Sequence, residues 1–341
     1  MRVLYPINFT TSIGADRWIG EGWRDAFEDL GHEVHWLETA DSIEERIRTV
    51  RPDLVFIGME RLKLKDVPVL EDFRRKGGKV VVYVSSVFDE SAEYFRVIRD
   101  HNVADIYHGE TEPEWMKEFE KKSGKTYTLT PNAAHERLHF PTAPVKKYEC
   151  DIVFLGANLP LKRPLFEKLL FPLRQKYDVK VFGPDWTLSD NILRAAAYAA
   201  RRFGFKGLND WISRKRVTVP PEEENQLYSS AKICINLHEM REEWNKNHVI
   251  MNERTFKIPA CGGFEICDFI QPENILRRYF NPDEMVYAKD EKDWFEKIDY
   301  YLKHDAEREA IRKNGTERAL RDHMYTNRAK NILQRLNILA V

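Results

Sequence analysis

The stretch Asn252-Glu-Arg-Thr-Phe-Lys-Ile-Pro-Ala-Cys-Gly-Gly-Phe264, which continues as Glu265-Ile-Cys-Asp268, points to an α/β fold. Its first half has the composition of a short helix, the glycine pair ends that helix, and an apolar strand begins at once. Glycine accepts positive φ and lets two backbones approach closely, as a tight helix-to-strand turn requires. Three polar side chains crowd the turns before the break: Arg254, Thr255 and Lys257. This concentration of polar groups beside a glycine pair indicates a ligand nearby.

The N-terminal half alternates short apolar runs with segments of helical spacing. Strands are predicted at 3–7, 33–37, 54–57 and 79–84, and helices at 16–30, 41–50 and 69–75. This alternation is typical of a parallel sheet that is covered on both faces. The glycine pattern GxGxxG does not follow the first strand, which argues against a dinucleotide site of that kind.

The alternation is interrupted at 129–144, where three prolines and no clear periodicity predict a linker. It then restarts, with strands predicted at 150–155, 179–182 and 233–236 and helices at 164–177, 222–230, 290–304 and 306–338. The sequence therefore predicts two α/β domains with a cleft between them, where ligands lie beyond the carboxyl ends of strands. We expect domains at 1–140 and 141–322, and a terminal helix at 323–341 that crosses back to the first domain.

Length and composition limit the classes of function. The chain has 341 residues, a net charge of -1 and a pI near 6.8, which favours two domains and argues against wholesale binding of nucleic acid. The four cysteines lie in apolar contexts without the spacing of a zinc site, so we expect reduced thiols, no metal and a cytoplasmic protein. The first residues read as a strand, not a signal peptide, and no apolar run approaches the roughly 20 residues of a membrane span.

One basic stretch does not fit the α/β alternation. Residues 194–216 carry seven basic side chains against Asp210 alone, with Phe203, Phe205 and Trp211 interleaved. Such a segment binds an anionic acceptor or lies on a membrane surface, here the inner face. The alternative interpretation is a solvated insertion with a small apolar face.

Several ordered segments resemble a known family. They are Asp151-Ile-Val-Phe-Leu-Gly156 with Lys162-Arg163, Val179-Lys-Val-Phe-Gly-Pro-Asp-Trp186, Val219-Pro-Pro with Leu227-Tyr-Ser-Ser-Ala-Lys-Ile-Cys-Ile-Asn236, the stretch quoted first, and His323-Met-Tyr-Thr-Asn-Arg328. Over residues 150–335 the chain resembles the glycosyltransferases of the GT-B fold, in which two Rossmann-like domains face each other across a cleft. It is most similar to the branch of group 1 glycosyltransferases related to the CgeB spore-maturation protein. The first half is similar to such enzymes mainly through Leu30-Gly-His-Glu-Val34.

This resemblance implies a hexosyl transfer from a nucleotide-sugar to a hydroxyl group, without a metal or further cofactor. Negative charge grows on the leaving diphosphate, so backbone N–H groups and arginines facing it accelerate the reaction. The implied donor-binding residues are Gly14, Gly156, Arg163, Gly183, Trp186, Pro220, Arg254, Thr255, Lys257, Gly262 and Gly263. The candidate catalytic residues are His108, His238 and Glu239. The loop 10–14 is expected to face the acceptor or the transition state.

Four of these residues also have purely structural interpretations. Arg163 could cap or pair on its own helix, and Trp186 could be a packed side chain that follows a strand. His108 and His238 could each be hydrogen-bonded structural histidines rather than bases. The sequence leaves both interpretations open for all four.

Lys257 departs from the pattern of the wider retaining relatives. In those relatives a glutamate five residues before the first glycine holds the nucleotide ribose, and lysine cannot accept hydrogen bonds from ribose hydroxyls. Glu253 and Glu265 are close in sequence, but we expect neither to share the face of Lys257. Lys257 then either points toward phosphate or another acid, or turns away from the ligand.

The expected function is transfer of a sugar to an acceptor hydroxyl on a glycan, a lipid-linked sugar or a protein. The first alternative is a protein that binds a nucleotide-sugar or glycan without turnover, and the second is a sugar-nucleotide epimerase of the same fold. Donor hydrolysis without acceptor separates the enzyme from the binder. A product in which only the sugar configuration has changed selects the epimerase.

Overall fold

The computed structural model describes residues 1–7, 15–238 and 249–339, and two separate parallel sheets organise them. The first sheet contains β1 (Arg2–Ile7), β2 (Glu33–Glu38), β3 (Leu54–Gly58), β4 (Lys79–Tyr83), β5 (Ile106–Gly109) and β6 (Tyr127–Leu129), in the order β2-β1-β3-β4-β5-β6. The second contains β7 (Cys150–Leu155), β8 (Val179–Phe182), β9 (Ala231–Asn236), β10 (Glu265–Cys267) and β11 (Val286–Tyr287), in the order β11-β10-β9-β7-β8. The predicted α/β class with two sheets is confirmed.

The two sheets have the same strand order. Numbered within its own domain, each begins in the spatial order 2-1-3-4-5, and the first domain adds a sixth strand. In this order the winding reverses between the adjacent, parallel first and third strands, so the connections that follow them lead away from each other and leave a crevice at the carboxyl ends of these strands. The crevices therefore lie at the ends of β1 and β3 in the first domain, and of β7 and β9 in the second.

Helices cover the faces of the first sheet. They are α1 (Ala15–Asp29), α2 (Ile43–Val50), α3 (Val67–Arg75), α4 (Glu93–Asp100) and α5 (Lys117–Ser123). The start of α2 shows how local sequence sets an element, because Ser42 Oγ accepts a hydrogen bond from the backbone N–H of Glu45. The apolar strands β3 and β4 are buried on both faces, as a covered parallel sheet requires.

The helices of the second half are α6 (Arg163–Leu165), α7 (Leu188–Arg202), α8 (Lys206–Lys215), α9 (Glu224–Ser230), α10 (Arg254–Ala260), α11 (Glu273–Leu276), α12 (Glu291–Tyr301), α13 (Asp305–Asp322) and α14 (Tyr325–Arg335). The single helix predicted at 164–177 is wrong. After α6 the chain takes a π-helical turn, in which Phe171 N donates to Phe166 O, and then a separate turn at Leu173–Gln175. Pro172 has no N–H to donate, so a continuous α-helical ladder is interrupted there.

The single helix predicted at 306–338 is also wrong, because it is two helices. Met324 is extended, with φ -93° and ψ 159°, and separates α13 from α14. Its neighbour Tyr325 donates its backbone N–H to Ala134 O, and Ala134 N donates to His323 O. This pairing with the predicted linker turns the chain toward the first domain.

Helix α14 packs on the first domain. Tyr325, Ala329, Ile332 and Leu333 share one buried cluster with residues of β1 and α1. Gly22 on α1 makes the approach possible, because a Cβ there would lie 2.4 Å from the Tyr325 ring. The chain thus returns to the first domain after the second, while the boundaries at 140 and 322 stay predictions. None of the helices in the described ranges is both long and apolar enough to cross a bilayer.

Candidate functional site

A cleft of about 420 Å³ opens at the carboxyl ends of β7, β8 and β9, the crevice that the strand order creates. Trp18 of α1 lines it from the first domain, so the cleft lies between the domains. The second domain supplies the remaining lining residues: Leu155, Gly156, Ala157, Leu159, Lys162, Gly183, Pro184, Arg216, Val217, Thr218, Val219, Pro221, Glu224, Asn252, Glu253, Arg254 and Lys257.

Two glycine loops form one wall of this cleft. Gly156 follows β7 and Gly183 follows β8, and Gly183 has φ +120°. A Cβ on Gly183 would lie 2.3 Å from the carbonyl oxygen of Gly156, so only glycine fits there. Trp186 Nε1 donates to the same oxygen at 2.7 Å and packs against Phe166. The loops are therefore held together, and Trp186 is placed as a structural tie that does not line the cleft.

Arg254 lies at the centre of the crevice, at the start of α10. Its guanidinium donates to Leu155 O at 3.1 Å, Leu237 O at 2.8 Å and Asn236 Oδ1 at 3.1 Å, and so joins the ends of β7 and β9. These bonds occupy three of its five donors. Its acceptors are all neutral, and within the described ranges no carboxylate lies at ion-pair distance. Arg254 therefore brings into the cleft a positive charge that has no direct carboxylate partner in the described residues and acts only at longer range on Glu253 and Glu265, whose pKa values burial raises and Arg254 lowers.

Two further cations line the cleft, and sequence reasoning did not single them out. Lys162 is 7% exposed and lies beside the loop that follows β7. Arg216 donates to Asp185 at 2.7 Å and to Asp190 at 3.1 Å, so its charge is balanced by two carboxylates. The basic pair Lys162-Arg163 was the available signal, but the sequence favoured its second member.

Lys257 forms a buried ion cluster on the opposite wall. Its Nζ lies 2.6 Å from Glu224 Oε2 and 3.7 Å from Glu253 Oε2. Burial alone lowers the pKa of Lys257, but Glu224, Tyr228 and Glu253 outweigh it and raise that pKa above its ordinary value. Of the sequence alternatives, the structure shows Lys257 directed at another acid.

The expectation that Glu253 does not share the face of Lys257 is wrong. The two residues are four apart at the start of α10, and this spacing places their side chains side by side. Burial raises the pKa of the Glu253 carboxyl, and Lys257 opposes that shift. Glu253 Oε1 is buried without a hydrogen-bond partner in the described residues. Glu265 instead lies on β10, where it accepts a hydrogen bond from Asn236.

Other predicted binding residues lie outside the cleft lining. Arg163 points away, with its side chain 63% exposed and paired with Glu167. Thr255 is fully buried and hydrogen-bonded to Asn236, so it positions the strand end rather than facing the cleft. The glycine pair is also buried: Gly262 packs on Pro141, and Gly263 lies close to Ile258. The glycine pair therefore allows close packing at this point. Pro220 does not line the cleft either, whereas its neighbours Val219 and Pro221 do.

Of the two candidate catalytic residues near the second sheet, His238 lies within the described residues and Glu239 does not. His238 follows β9, is 1% exposed and does not line the cleft. Its Nδ1 lies 3.1 Å from Asp268 Oδ1, while its Nε2 is buried without a hydrogen-bond partner in the described residues. Cys267 lies beside this pair, so the three side chains could hold a metal ion. Glu239, Gly14 and the loop 10–14 lie outside the described residues.

A second cavity of about 640 Å³ lies at the corresponding crevice of the first domain. Aromatic and polar side chains both line it. The aromatic ones are Tyr5, Trp23, Phe56, Tyr83 and Tyr325, and the polar or charged ones are Thr39, Glu60, Arg61, His108, Glu110, Thr130 and Asn132. Aromatic side chains with convergent polar groups are typical of small-molecule sites.

His108 lies in this second cavity, at the end of β5. The rings of Trp23, Phe56 and Tyr83 surround it at centroid distances of 6.2, 5.9 and 5.8 Å. Burial lowers its pKa to about 4, so the ring is neutral near pH 7. His108 Nδ1 and Tyr325 Oη are both buried without a hydrogen-bond partner in the described residues. The residues that line the cavity thus include two with a buried polar atom that lacks a partner in the described residues.

The comparisons with known proteins agree with this architecture. A family model described as "Glycosyl transferase-like" matches residues 162–334, which is more than half of the 341 residues. No curated protein sequence matches the chain.

Solved structures share the fold along the whole chain. Sucrose-phosphate synthase from Thermosynechococcus elongatus is 15% identical, with 98% of each chain covered and a TM-score of 0.61. A glycosyltransferase from Rickettsia africae is 11% identical, covering 99% of this chain and 98% of that one, with a TM-score of 0.64. Anabaena HepE, solved with UDP and glucose, is 11% identical, covering 99% and 100%, with a TM-score of 0.59. At these identities the likeness shows the fold, and it confirms the GT-B arrangement.

Proposed function

The chain belongs to the glycosyl transferase-like family, and we propose that it transfers a sugar from a uridine diphosphate donor to a hydroxyl of a carbohydrate acceptor. The observation that carries the proposal is the position of Arg254. An arginine with two unused donors and no carboxylate partner in the described residues stands at the crevice where this fold binds ligands. A diphosphate supplies the missing negative charge.

The opposite wall of the cleft suits the hydroxyls of a nucleotide. Glu253 Oε1 lacks a hydrogen-bond partner in the described residues, and a carboxylate oxygen accepts well from a ribose hydroxyl. Lys257 neutralises part of the negative charge of Glu224 and Glu253, so these acids do not repel the diphosphate beside them. In this proposal Glu253 holds the ribose, and Lys257 is a positioning residue.

The uracil base is proposed from structural neighbours. Anabaena HepE is described in complex with UDP and glucose, and an α-glucosyltransferase of the same fold in complex with UDP. Both share the fold with this chain; HepE is 11% identical to it and the α-glucosyltransferase 14%. The likeness supports UDP as the first nucleotide to test. We also propose a hexosyl group, because HepE is described in complex with glucose, and the CgeB-like branch, because the sequence segments resemble it.

The reaction follows from where charge develops. As the glycosidic bond breaks, its electrons leave with the diphosphate, and Arg254 and Lys162 face the growing charge. These cations supply positive charge that a metal ion provides in other transferases, so we propose that transfer is independent of metal. The acceptor occupies the aromatic cavity of the first domain, where His108 Nδ1 accepts a hydrogen bond from a hydroxyl.

The chemistry of that cavity favours an uncharged sugar as acceptor. Two carboxylates, Glu60 and Glu110, line the cavity, and Arg61 is the one cation among the described residues that line it. The Arg61 guanidinium already donates to Leu37 O and Asp41 O. Carboxylates accept hydrogen bonds from sugar hydroxyls and repel phosphate groups. A neutral glycan end therefore suits the cavity better than a sugar phosphate.

Turnover tests the proposal directly. The protein is incubated with UDP-hexoses, alone and with a panel of neutral and phosphorylated sugars, and release of UDP is measured with and without EDTA. We expect slow release alone, faster release with a neutral acceptor, and no effect of EDTA. Binding of UDP-hexose without any release would instead indicate a non-catalytic binder. Conversion to an epimeric UDP-hexose would indicate an epimerase.

A further inference from the structure

Helices α7 and α8 form a hairpin with a small core of its own. Ala197, Ala200 and Ile212, with Leu193 against them, make a cluster separate from the main cores of the second domain. The rest of the hairpin exposes large apolar side chains: Leu188 at 79%, Ile192 at 61%, Tyr198 at 72%, Phe203 at 74%, Phe205 at 61%, Leu208 at 49% and Trp211 at 59%. Only five other large apolar side chains in the described residues are exposed, and they are scattered.

The exposed apolar residues of α7 follow a helical period. Leu188, Ile192, Ala195 and Ala199 recur at intervals of four, three and four residues, and all are exposed. They form a stripe on the side opposite the buried Ala197. Phe203 and Phe205 at the turn, and Leu208 and Trp211 on α8, continue the apolar surface. Helix α7 is thus apolar on two faces: one packs inside the hairpin, and the other is exposed and suited to contact with a second apolar environment.

Basic residues accompany this apolar surface. Arg201, Arg202, Lys206 and Arg214 are exposed, and in the described part of the chain none of them makes an ion pair. Lys215 Nζ lies 5.7 Å from the centre of the Trp211 ring. Within α7 and α8, Asp210 is the one exposed acid. An apolar surface with aromatic residues and an excess of basic charge is typical of segments that lie in the headgroup region of a membrane.

We propose that the hairpin of α7 and α8, residues 188–215, binds the protein to a lipid surface that carries anionic headgroups. Phe203, Phe205 and Trp211 enter the boundary between headgroups and acyl chains, while the basic residues pair with the headgroup charges. The proposal does not depend on the reaction, because no residue of 188–215 lines either cavity.

A second copy of the chain is a weaker occupant on the same observations. A twofold interface through this surface would bring the same residues of both copies together. Arg201, Arg202, Lys206 and Arg214 would then face their own counterparts, with Asp210 as the only nearby exposed acid of α7 and α8. Like charges at close range oppose such a dimer, whereas an anionic lipid surface compensates them.

Vesicle co-sedimentation of the full chain tests the proposal. The vesicles contain phosphatidylcholine alone or mixed with phosphatidylglycerol. We expect binding to the mixed vesicles that weakens as salt rises from about 0.1 M to about 1 M, where the Debye length falls from about 10 Å to about 3 Å. The double variant Phe203→Ser/Phe205→Ser should bind about ten-fold more weakly or worse. Arg201→Gln and Arg202→Gln should each lower partitioning about five-fold.

Matched controls come from other exposed positions. Val87→Ser removes an apolar side chain that is 55% exposed on the first domain, and Lys313→Gln removes a cation whose side chain is 74% exposed. Neither should change vesicle binding. Absence of binding to mixed vesicles, or equal losses in control and hairpin variants, would overturn the proposal. So would a concentration-dependent dimer in analytical ultracentrifugation that Phe203→Ser/Phe205→Ser disperses.

Discussion

Glu265 is a buried carboxyl group with one visible partner. Its Oε1 accepts a hydrogen bond from Asn236 Nδ2 at 2.8 Å, while Oε2 has no partner in the described residues. Burial raises the pKa of Glu265 to about 8, against hydrogen bonding from Asn236, which lowers it. Near pH 7 this group is therefore largely protonated in the folded protein and ionised in the unfolded chain.

The consequence is a stability that falls as pH rises. Between the ordinary value of 4.5 and about 8, the folded state binds the proton that the unfolded state has released. Over this interval the free energy of unfolding should fall by up to about 1.4 kcal/mol per pH unit from this group alone. Glu265→Gln should remove that slope, as urea denaturation across the pH range would show. An unchanged slope in the variant would contradict the raised pKa of Glu265.

The Lys257 cluster leads to a second residue-scale prediction. Lys257→Met leaves Glu224 and Glu253 close together in a buried site without their cation. Breaking a buried ion pair on one side costs about 3–5 kcal/mol, so this variant should be strongly destabilised. The double variant Lys257→Met/Glu224→Gln should recover part of the loss. Urea denaturation of both variants measures this, and equal stabilities would show that the pair is not coupled.

At this scale the sequence anticipated some positions and missed others. Arg254 and Lys257 both line the cleft, as their place before a glycine pair suggested. The sequence favoured Arg163 as the cleft residue, but Lys162 lines the cleft instead. Which of two adjacent residues turns inward depends on the path of the loop, and the sequence does not show that path. The spacing of Glu253 and Lys257 carried usable information, since residues four apart on a helix are neighbours.

Among the elements, α14 is tied to the linker by a buried arginine, in addition to its apolar packing on the first domain. Arg328 donates to the carbonyl oxygens of Pro131 at 3.0 Å, Asn132 at 3.1 Å and Asp322 at 3.0 Å, and so ties the linker to the helix. Arg328→Met leaves these oxygens without their donor and should cost at least about 3 kcal/mol of unfolding free energy. Arg328→Lys should lose less.

Lys330→Met is the matched control for Arg328→Met. It removes a cation from the exposed side of the same helix and should change stability by no more than about 0.5 kcal/mol. Chemical denaturation of the three variants measures the differences. If Arg328→Met and Lys330→Met have equal effects, the tie between linker and helix is not a source of stability.

The sequence predicted elements well where local pattern sets them. The valine-rich strand β4 and the apolar strand β7 were located from their runs of apolar residues, and most of these residues are buried in the structure. The break at Met324 was missed, because it is set by pairing with Ala134, which lies far away in sequence. The strands β6 and β11 are three and two residues long, too short to give a periodic signal.

In the whole molecule, buried polar contacts join the two domains. Glu112 of the first domain is fully buried and accepts from Arg278 Nη1 at 2.8 Å and from Tyr279 Oη. Asn132 Nδ2 donates to Met251 O at 3.2 Å across the same junction. We expect the domains to close on the donor by rotating about this junction and the crossing near 131–134 and 323–325.

Small-angle scattering tests domain closure. The radius of gyration should fall when UDP saturates the protein, and it should not fall in Arg254→Met at the same UDP concentration. The two separate sheets leave closure available, since one continuous sheet would have held the halves rigid. A radius of gyration that stays constant under UDP saturation would contradict closure.

At the scale of the whole chain, the sequence predicted two α/β units and a cleft from alternation alone. It could not give the strand order, because order depends on which strands pair across long loops. The common order of the two sheets is what places both cavities at equivalent crevices. The aromatic cavity of the first domain was missed for the same reason, as its residues come from four strands, two α-helices and the loops between them.

We propose that Arg254 binds the diphosphate of a uridine nucleotide, and calorimetric titration measures this binding. UDP and uridine are each titrated into the wild type, Arg254→Met, Arg254→Lys and the control Arg163→Met, with thermal melting to verify folding. A lost hydrogen bond to a charged group costs about 1.5–3 kcal/mol, so Arg254→Met should bind UDP at least ten-fold more weakly. Arg254→Lys should lose less.

The uridine titration distinguishes phosphate binding by Arg254 from a purely structural role of this residue. We expect Arg254→Met to weaken UDP binding and leave uridine affinity unchanged, and Arg163→Met to change neither. Equal loss for UDP and uridine would mean that Arg254 only braces the ends of β7 and β9. Unchanged UDP affinity in a folded Arg254→Met variant would contradict the claim outright.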